Sequence, residues 1–269
     1  MKKLFALFTV LGVLVSSAFA ADAPRVYTIA TEGAMPPYNF IGADGQPDGY
    51  DVAVAKAVDA LLPDVEFKFI AVEWTSIFAG LEAGRYDLIV SFLGRNAERE
   101  KKYLYGDVPY NWNISALAFA KGRTDIHSLN DLIGKKVTVG LGGWQANALE
   151  KWNAEHGNGI QIVYNDGDIS KMLFEIENGR VDATITSPVT GGHIAREQGL
   201  NVEFVLRDDV PITAQYWLFT KDERGAWLKE RVDAALKQLL ADGTLSRLSV
   251  QYEGADYSTR EAVASRIGK

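Results

Sequence analysis

One segment of this 269-residue chain occurs twice. Leu81-Glu82-Ala83-Gly84-Arg85-Tyr86-Asp87, followed by Leu88-Ile89-Val90-Ser91, returns as Ile176-Glu177-Asn178-Gly179-Arg180-Val181-Asp182, followed by Ala183-Thr184-Ile185-Thr186-Ser187. Each copy reads as a helix end, a glycine stop, a charged turn and a buried strand that closes on a serine. One such unit is ordinary punctuation in an α/β chain. Two copies, with Gly84 and Gly179 standing 95 positions apart, point to two lobes on one plan. A pair of similar α/β lobes leaves a cleft between them, where ligands bind preferentially.

The ends and the composition narrow the setting. Lys2 and Lys3, the apolar run from Leu4 to Val15 and Ala18-Phe19-Ala20 form the charged, apolar and small-residue parts of a secretory leader cut after Ala20. The apolar run is shorter than the roughly 20 residues of a spanning helix. The sequence contains no cysteine, which excludes a disulfide framework, a thiol nucleophile, a cysteine metal site and a lipid on an N-terminal cysteine. A freely diffusing periplasmic protein is the expectation, monomeric and without cofactor or metal. The formal net charge of −7 becomes more negative by two once Lys2 and Lys3 are removed. An acidic chain of this kind argues against nucleic acid, which needs a basic face.

Strands and helices alternate along the rest. Val26–Ala30 reads as a strand that Met35-Pro36-Pro37 cannot continue, because proline lacks the ladder donor. Gly42 to Gly49 reads as a turn, and Asp51 as the cap of a helix with Val52, Ala55, Val58 and Leu62 inward. A strand over 65–72, a helix over 75–83 and the apolar strand after Asp87 follow. A second series restarts after Lys121: a capping box at Ser128-x-x-Asp131, strands over 136–140 and 160–164, a helix from about Ala146, a helix over 170–178 and the second copy of the repeated strand. A strand over 216–220 and an amphipathic helix over 227–240 close the pattern. The rhythm implies α/β architecture with largely parallel sheets. Lobe 1 is expected over 21–114, lobe 2 over 115–213, and a return to lobe 1 over 214–269. Extended crossings are expected near 112–118 and 211–217.

The motifs, taken in order, resemble one family. Thr31-Glu32-Gly33 with Pro36-Pro37-Tyr38, Gly49-Tyr50-Asp51-Val52, Trp74, Gly84-Arg85-Tyr86-Asp87 and Glu98-Arg99 are similar to the polar amino-acid-binding proteins of bacterial ABC importers, the extracellular solute-binding proteins of family 3. Leu132-Ile133-Gly134-Lys135-Lys136-Val137, Gly179-Arg180-Val181-Asp182-Ala183, Ser187-Pro188-Val189 and Ala241-Asp242-Gly243-Thr244 continue the match to about Tyr252. The resemblance implies a two-lobed, type II-like periplasmic binding protein with two hinge strands. The lobes would close on a ligand and deliver it to an inner-membrane permease.

It also implies site residues. Arg99 matches the arginine that grips the ligand's α-carboxylate, for which a guanidinium is suited by its paired parallel donors. By charge pattern alone, Arg99 belongs to the solvated run Glu98–Lys102. Glu32 matches an acid that meets the ligand's distal group; the alternative is a solvated loop carboxylate. Trp74 matches an aromatic that packs on the ligand, the alternative being a core tryptophan. Tyr38 and Arg95 rank below these. Ser91, at the end of the first repeated strand, is expected at the ligand. Met35 stands where the family has an aromatic. Gly94-Arg95-Asn96 replaces a Ser-x-Thr, leaving the Gly94 N–H and Asn96 as donors. Gly142-Gly143-Trp144 replaces a Gly-Ser/Thr-Thr turn, with Trp144 and Gln145 at the cleft and free N–H groups at a helix start. Ser187 aligns with the acid that neutralises the ligand's α-ammonium, so the carboxylate grip is kept while the ammonium grip is weakened or moved.

Three functions fit this pattern: capture for an ABC importer, an exported cyclohexadienyl (arogenate/prephenate) dehydratase-like enzyme on the same fold, and a ligand-loaded partner of a membrane sensor. Catalysis would need a positioned acid or base. His127, His156 and His193 share no motif or metal spacing, so the expectation is a binding protein and not an enzyme.

Overall fold

A computed structural model describes residues 24–95 and 97–267. The leader Met1–Ala20 and the candidate Asn96 lie outside the described residues. The first unit comprises β1 (Arg25–Thr31), the short β2 (Ala34–Met35), β3 (Asn39–Ile41) and β4 (Pro47–Asp48), α1 (Tyr50–Asp59), β5 (Val65–Ala71), α2 (Trp74–Glu82), β6 (Leu88–Gly94), α3 (Ala97–Lys102), β7 (Leu104–Tyr105) and β8 (Asn111–Asn113). The second comprises β9 (Ala116–Ala120), a single 3₁₀ turn over Leu129–Leu132, β10 (Lys136–Gly140), α4 (Trp144–Glu155), β11 (Gln161–Asn165), α5 (Ile169–Glu177), β12 (Ala183–Thr186), α6 (Pro188–Gln198) and β13 (Val202–Leu206). The chain then returns through β14 (Thr213–Phe219), α7 (Glu223–Ala241), α8 (Thr244–Glu253) and α9 (Arg260–Ala264).

Two sheets of the same design result. The first is ordered β5-β1-β6-β14-β7 and the second β11-β10-β12-β9-β13. In each, three parallel strands are followed by an antiparallel one. The repeated segment supplies the third strand of both. Leu88 and Val90 pack with Tyr27, Ile29, α1 and α7 on one face, while Ile89 and Leu93 pack with Ile77 and Leu81 of α2 on the other. Burial on both faces explains the unbroken apolar run. The second sheet is likewise covered on two faces.

The repeated turns match atom for atom in their bonding. Gly84 and Gly179 both take positive φ, +65° and +67°. The next residue in each copy, Arg85 or Arg180, donates to the carbonyl five residues back, in Gly80 or Glu175. Asp87 accepts from the Thr28 N–H at 2.9 Å and from Arg224 Nε at 2.6 Å. Asp182 accepts from the Lys136 N–H at 2.9 Å and from Arg123 Nη1 at 2.8 Å. Each aspartate therefore ties its strand to the start of the neighbouring parallel strand and to an arginine that follows the antiparallel one.

The crossings lie side by side. β8 and β14 pair antiparallel, Asn113 opposite Thr213 and Asn111 opposite Gln215, and the chain passes between sheets at 114–115 and 207–212. A shared apolar cluster joins the sheets here: Tyr38, Ile114, Ala116, Val189, Leu206, Tyr257 and Val263. Two expectations need correction. Gly49, not Asp51, occupies the α1 N-cap; Asp51 is fully buried instead. The helix expected from about Ala146 begins at Trp144.

Candidate functional site

Parallel strands converge at their carboxyl ends, and open α/β sheets bind ligands there. In the first unit this edge carries Glu32 just after β1, Trp74 at the start of α2, Gly94 at the end of β6 and Arg99 on α3. The structure brings Arg99 and Trp74 together: the guanidinium carbon lies 5.7 Å from the Trp74 ring and 4.5 Å from that of Phe78. Trp74 meets Phe78 edge to face at 5.0 Å and keeps 37% of its surface exposed. It is therefore not a core tryptophan. The aromatic floor holds the guanidinium in place, and a guanidinium so oriented suits the paired recognition of a carboxylate. Glu32 titrates above its ordinary range, because it is partly desolvated and because Glu73 lies near enough to repel its charge. Two carboxylates next to an exposed aromatic make this corner attractive to a cation. Glu73 and Phe78 escaped the sequence reading; Phe78, four residues beyond Trp74 on one helix face, was the legible clue.

Beneath this edge lies a buried polar network. Asp51 accepts from Tyr110 Oη at 2.6 Å and from Asn39 Nδ2 at 2.8 Å. Asn39 Oδ1 in turn accepts from the Gly33 N–H at 2.9 Å, and Tyr110 Oη accepts from the Phe92 N–H at 3.0 Å. Desolvation pushes Asp51 up to about 7 against the lowering effect of its two donors. The network fixes the loop after β1 relative to the end of β6. Ser91 belongs to it as well: 1% exposed, its hydroxyl accepts from the Glu32 N–H at 3.3 Å. The expectation that Ser91 faces ligand is corrected accordingly. It holds the backbone of Glu32 in place.

The strand registers also correct how the repeats align. Leu88 pairs with Ile29 and Ala183 with Val137, so Ser91 is the counterpart of Thr186, and Phe92 of Ser187. Ser91 and Thr186 are both buried, at 1% and 2% exposure. Ser187 caps α6, its Oγ accepting from the Thr190 N–H at 3.3 Å, and it lies close enough to Tyr38 to influence its phenol. Tyr38 is itself stacked on Phe92 at 3.7 Å between ring centroids. The Ser187 hydroxyl is thus engaged by the helix it caps. Met35 packs with Phe92 and Trp112 against the cluster at the crossing. Arg95 is sandwiched over Tyr105 and Tyr216 and donates to the Gly106 carbonyl at 3.1 Å, a scaffold role.

The second unit offers different chemistry. Gly140 to Gln145 turn from β10 into α4, whose N-cap, Gly143, makes no side-chain cap; its first N–H groups are available to an anion. Gln145 lines a cavity of about 180 Å³ with Gly167, Met172 and Thr186. Trp144 is 55% exposed and Leu141 74%, and Trp144 lines a second cavity of about 300 Å³ with Asn113, Ile114, Ser115, Pro211 and Thr213 at the crossing. Leu141 was missed because a lone leucine beside glycines carries no periodic signal. Among the described residues no group of His, Asp and Glu could hold a metal ion, and no helix is long and apolar enough to cross a membrane.

Two similar lobes, paired crossings and a guanidinium at one lip define the class of two-lobed solute-binding proteins. The chain belongs to the bacterial extracellular solute-binding proteins, family 3, whose model matches residues 27–255. It is 34% identical over 235 residues to the L-cystine-binding protein TcyJ of Bacillus subtilis, covering 86% of this chain and 84% of the relative. Its fold superposes on the L-cystine solute receptor of Neisseria gonorrhoeae in the unliganded open conformation with a TM-score of 0.76 and 28% identity, over 87% of this chain and 95% of that one. A structure described for glutathione import in Gram-positive bacteria via GshT and the cystine importer TcyBC of Streptococcus mutans matches at a TM-score of 0.66 and 30% identity, over 88% and 98%. The curated relatives are named as binding proteins of transporters and not as enzymes, which favours capture over the dehydratase reading.

Proposed function

We infer that this chain captures an amino acid of the cystine class in the periplasm, after export directed by Met1–Ala20, and delivers it as a monomer to an ABC permease. Residues 21–114 and 214–269 act as one lobe and residues 115–213 as the other, hinged at β8 and β14. The observation that carries the reading is the Arg99 guanidinium, seated on Phe78 and beside the exposed Trp74 at the carboxyl edge of the first sheet. Arg99 receives the α-carboxylate with the Gly94 and Asn96 region, while Glu32 and Glu73 take the role of ammonium acceptor that Ser187 does not fill. Trp144 and Gln145 close from the opposite lobe over the remainder of the ligand. The exposure of Trp74 and Trp144 in this conformer suits an open cleft.

The supporting relatives are named for L-cystine, so calorimetric titration should compare L-cystine with glutathione, arginine, glutamine and acetylated cystine. Saturable binding of an α-amino acid, weakened by blocking its amine, is the expected result. Equal affinity for the acetylated form would remove Glu32 and Glu73 from the ammonium role. Absence of binding to every amino acid tested would overturn the reading.

A further inference from the structure

A second basic cavity lies where the lobes meet, and none of its lining residues is among the candidate cleft residues. It measures about 350 Å³ and is walled by Pro188, Gly192 and Arg196 of α6 on one side and by Gly254, Tyr257 and Arg266 on the other. Tyr257 and Arg266 follow residue 255, where the match to the family model ends.

The C-terminal segment is firmly seated. The Tyr257 carbonyl accepts from the Trp112 N–H of β8 at 2.8 Å, and the Tyr257 N–H donates to Ser249 Oγ at 2.7 Å. Tyr257 and Val263 enter the same apolar cluster as Val189 and Leu206 of the second unit. The segment thus runs from α8 across the crossing strands and rests on the other lobe.

The charges in the cavity are unbalanced. Arg266 stacks on the Tyr257 ring at 4.2 Å and donates to the carbonyls of Asp256 and Ala262; the nearby Asp256 carboxylate feels its charge and is itself bonded to Ser246 and Ser258. Arg196 makes no hydrogen bond among the described residues; its Nη1 lies against Gly254, 3.1 Å from where a Cβ would stand. The charge of Arg196 acts on Tyr257 as well, so both guanidinium groups converge on one phenol. The one carboxylate in the wall, Glu253, is already satisfied. Asn111 Nδ2 donates to both its oxygens at 2.9 Å, and Ser249 Oγ donates to Oε2. Burial also pushes Glu253 up to about 8, which weakens its opposition to the arginines.

We propose that Arg196, Arg266 and Tyr257 form a binding site for a small oxyanion or polycarboxylate at the lobe junction. Two guanidinium groups and a phenol supply convergent donors for such a group, and the cavity has room for an anion as large as citrate. One arginine rides on each lobe's side of the junction. An anion held by both has an affinity that depends on lobe angle, and by reciprocity it changes the affinity of the cleft for its own ligand.

The test titrates inorganic phosphate, sulfate and citrate into the purified protein by calorimetry and thermal unfolding, with ionic strength held constant by sodium chloride. At least one of the three is expected to give saturable binding that Arg196→Gln weakens tenfold or more. Arg266→Gln should act in the same direction, and Arg196→Gln is the decisive variant because its side chain makes no hydrogen bond whose loss would disturb folding. Arg99→Ala should leave anion binding intact, which separates this site from the cleft. Saturation by phosphate or sulfate identifies an inorganic oxyanion, and saturation by citrate alone a polycarboxylate. No saturable response in the wild type, or an unchanged one in Arg196→Gln, overturns the site. An amino-acid affinity that stays within twofold at saturating anion overturns the coupling.

Discussion

The two lobes begin their third strands with the same chemistry and end them differently. At the start, Asp87 and Asp182 make matching bonds to a parallel neighbour and to an arginine. At the end, β6 runs on to Gly94 through a left-handed Phe92 (φ 46°) and hands the chain to α3 with Arg99. β12 stops at Thr186 and passes directly into α6 under the Ser187 cap. One lobe therefore presents charged side chains on an aromatic floor, and the other presents helix N–H groups, Gln145 and exposed apolar side chains. Launching a buried parallel strand is a general problem with one good solution. What leaves the strand differs between the lobes, and nothing in the scaffold requires it to be alike.

The sharpest break in this comparison is Arg99→Ala. Removing a bidentate partner from a partly desolvated carboxylate should cost at least ~100-fold in affinity for the best amino-acid ligand, or about 2.7 kcal/mol. Gln145→Ala on the opposite lobe should cost under about tenfold, as expected for a neutral hydrogen bond. Calorimetry on both variants measures the difference directly; equal losses would contradict a lobe-1 anchor.

Next comes pH. The first lobe, unlike the second, carries buried carboxyls that titrate high: Asp51 at about 7 and Glu253 at about 8. Both values lie above those of the unfolded chain, so the native state holds these protons more tightly. Their contribution is complete below about pH 4 and is lost as pH rises through 7 and 8. Each tenfold difference in proton affinity is worth about 1.4 kcal/mol, so a loss on the order of 7 kcal/mol at most is expected between pH 5 and pH 9. Urea unfolding across that range should show the decline, and Glu253→Gln should flatten its upper part.

The shared launch is tested by Asp87→Ala and Asp182→Ala. Each leaves a strand N–H without its acceptor and removes one of its arginine's partners, Arg123 keeping Asp125 and Arg224 the Val26 carbonyl, and should cost about 1–3 kcal/mol. Asp87 should cost more, because its side chain is 17% exposed against 32% for Asp182. A variant that costs nothing would show that the matching geometry is not matching energetics. The smallest effect is expected at the turns. Gly84→Ala and Gly179→Ala meet no neighbouring atom, so both should lose the same ~1 kcal/mol of backbone strain at positive φ. Unequal losses in denaturant melts would break the symmetry at its simplest point.

Much of the scaffold could be read from the chain. Apolar spacing located α1, α2, α5 and α7 and the parallel strands, because those segments bury a periodic face. β9 and β13 gave little signal and were not separated from the crossings. α6, rich in glycine and polar residues, was missed for the same reason, while α8 and α9 were expected only as unplaced C-terminal helices within 214–269. Arg99 and Trp74 were legible through the order of the surrounding motifs. The misplacement of Ser91 had a different origin. Both copies close on a serine, but the second copy is one residue longer, and only the ladder register shows that Thr186 is the true counterpart. Asp51 looked like a helix cap because aspartate near a helix start usually is one; its partners Asn39 and Tyr110 lie 12 and 59 residues away.

By itself, the sequence determined the two-lobed α/β plan, the repeated turn and the arginine that marks the cleft. Local periodicity, glycine stops and ordered motifs are properties of neighbouring residues and survive without the fold. Tertiary structure decided which serine caps a helix, which carboxylates are buried, and that Arg196 and Arg266 share a cavity. Those outcomes depend on desolvation and on meetings between residues far apart in the chain. Asp51 became a raised carboxyl, and Arg196 an unbalanced charge, only once the lobes and the C-terminal segment had packed around them.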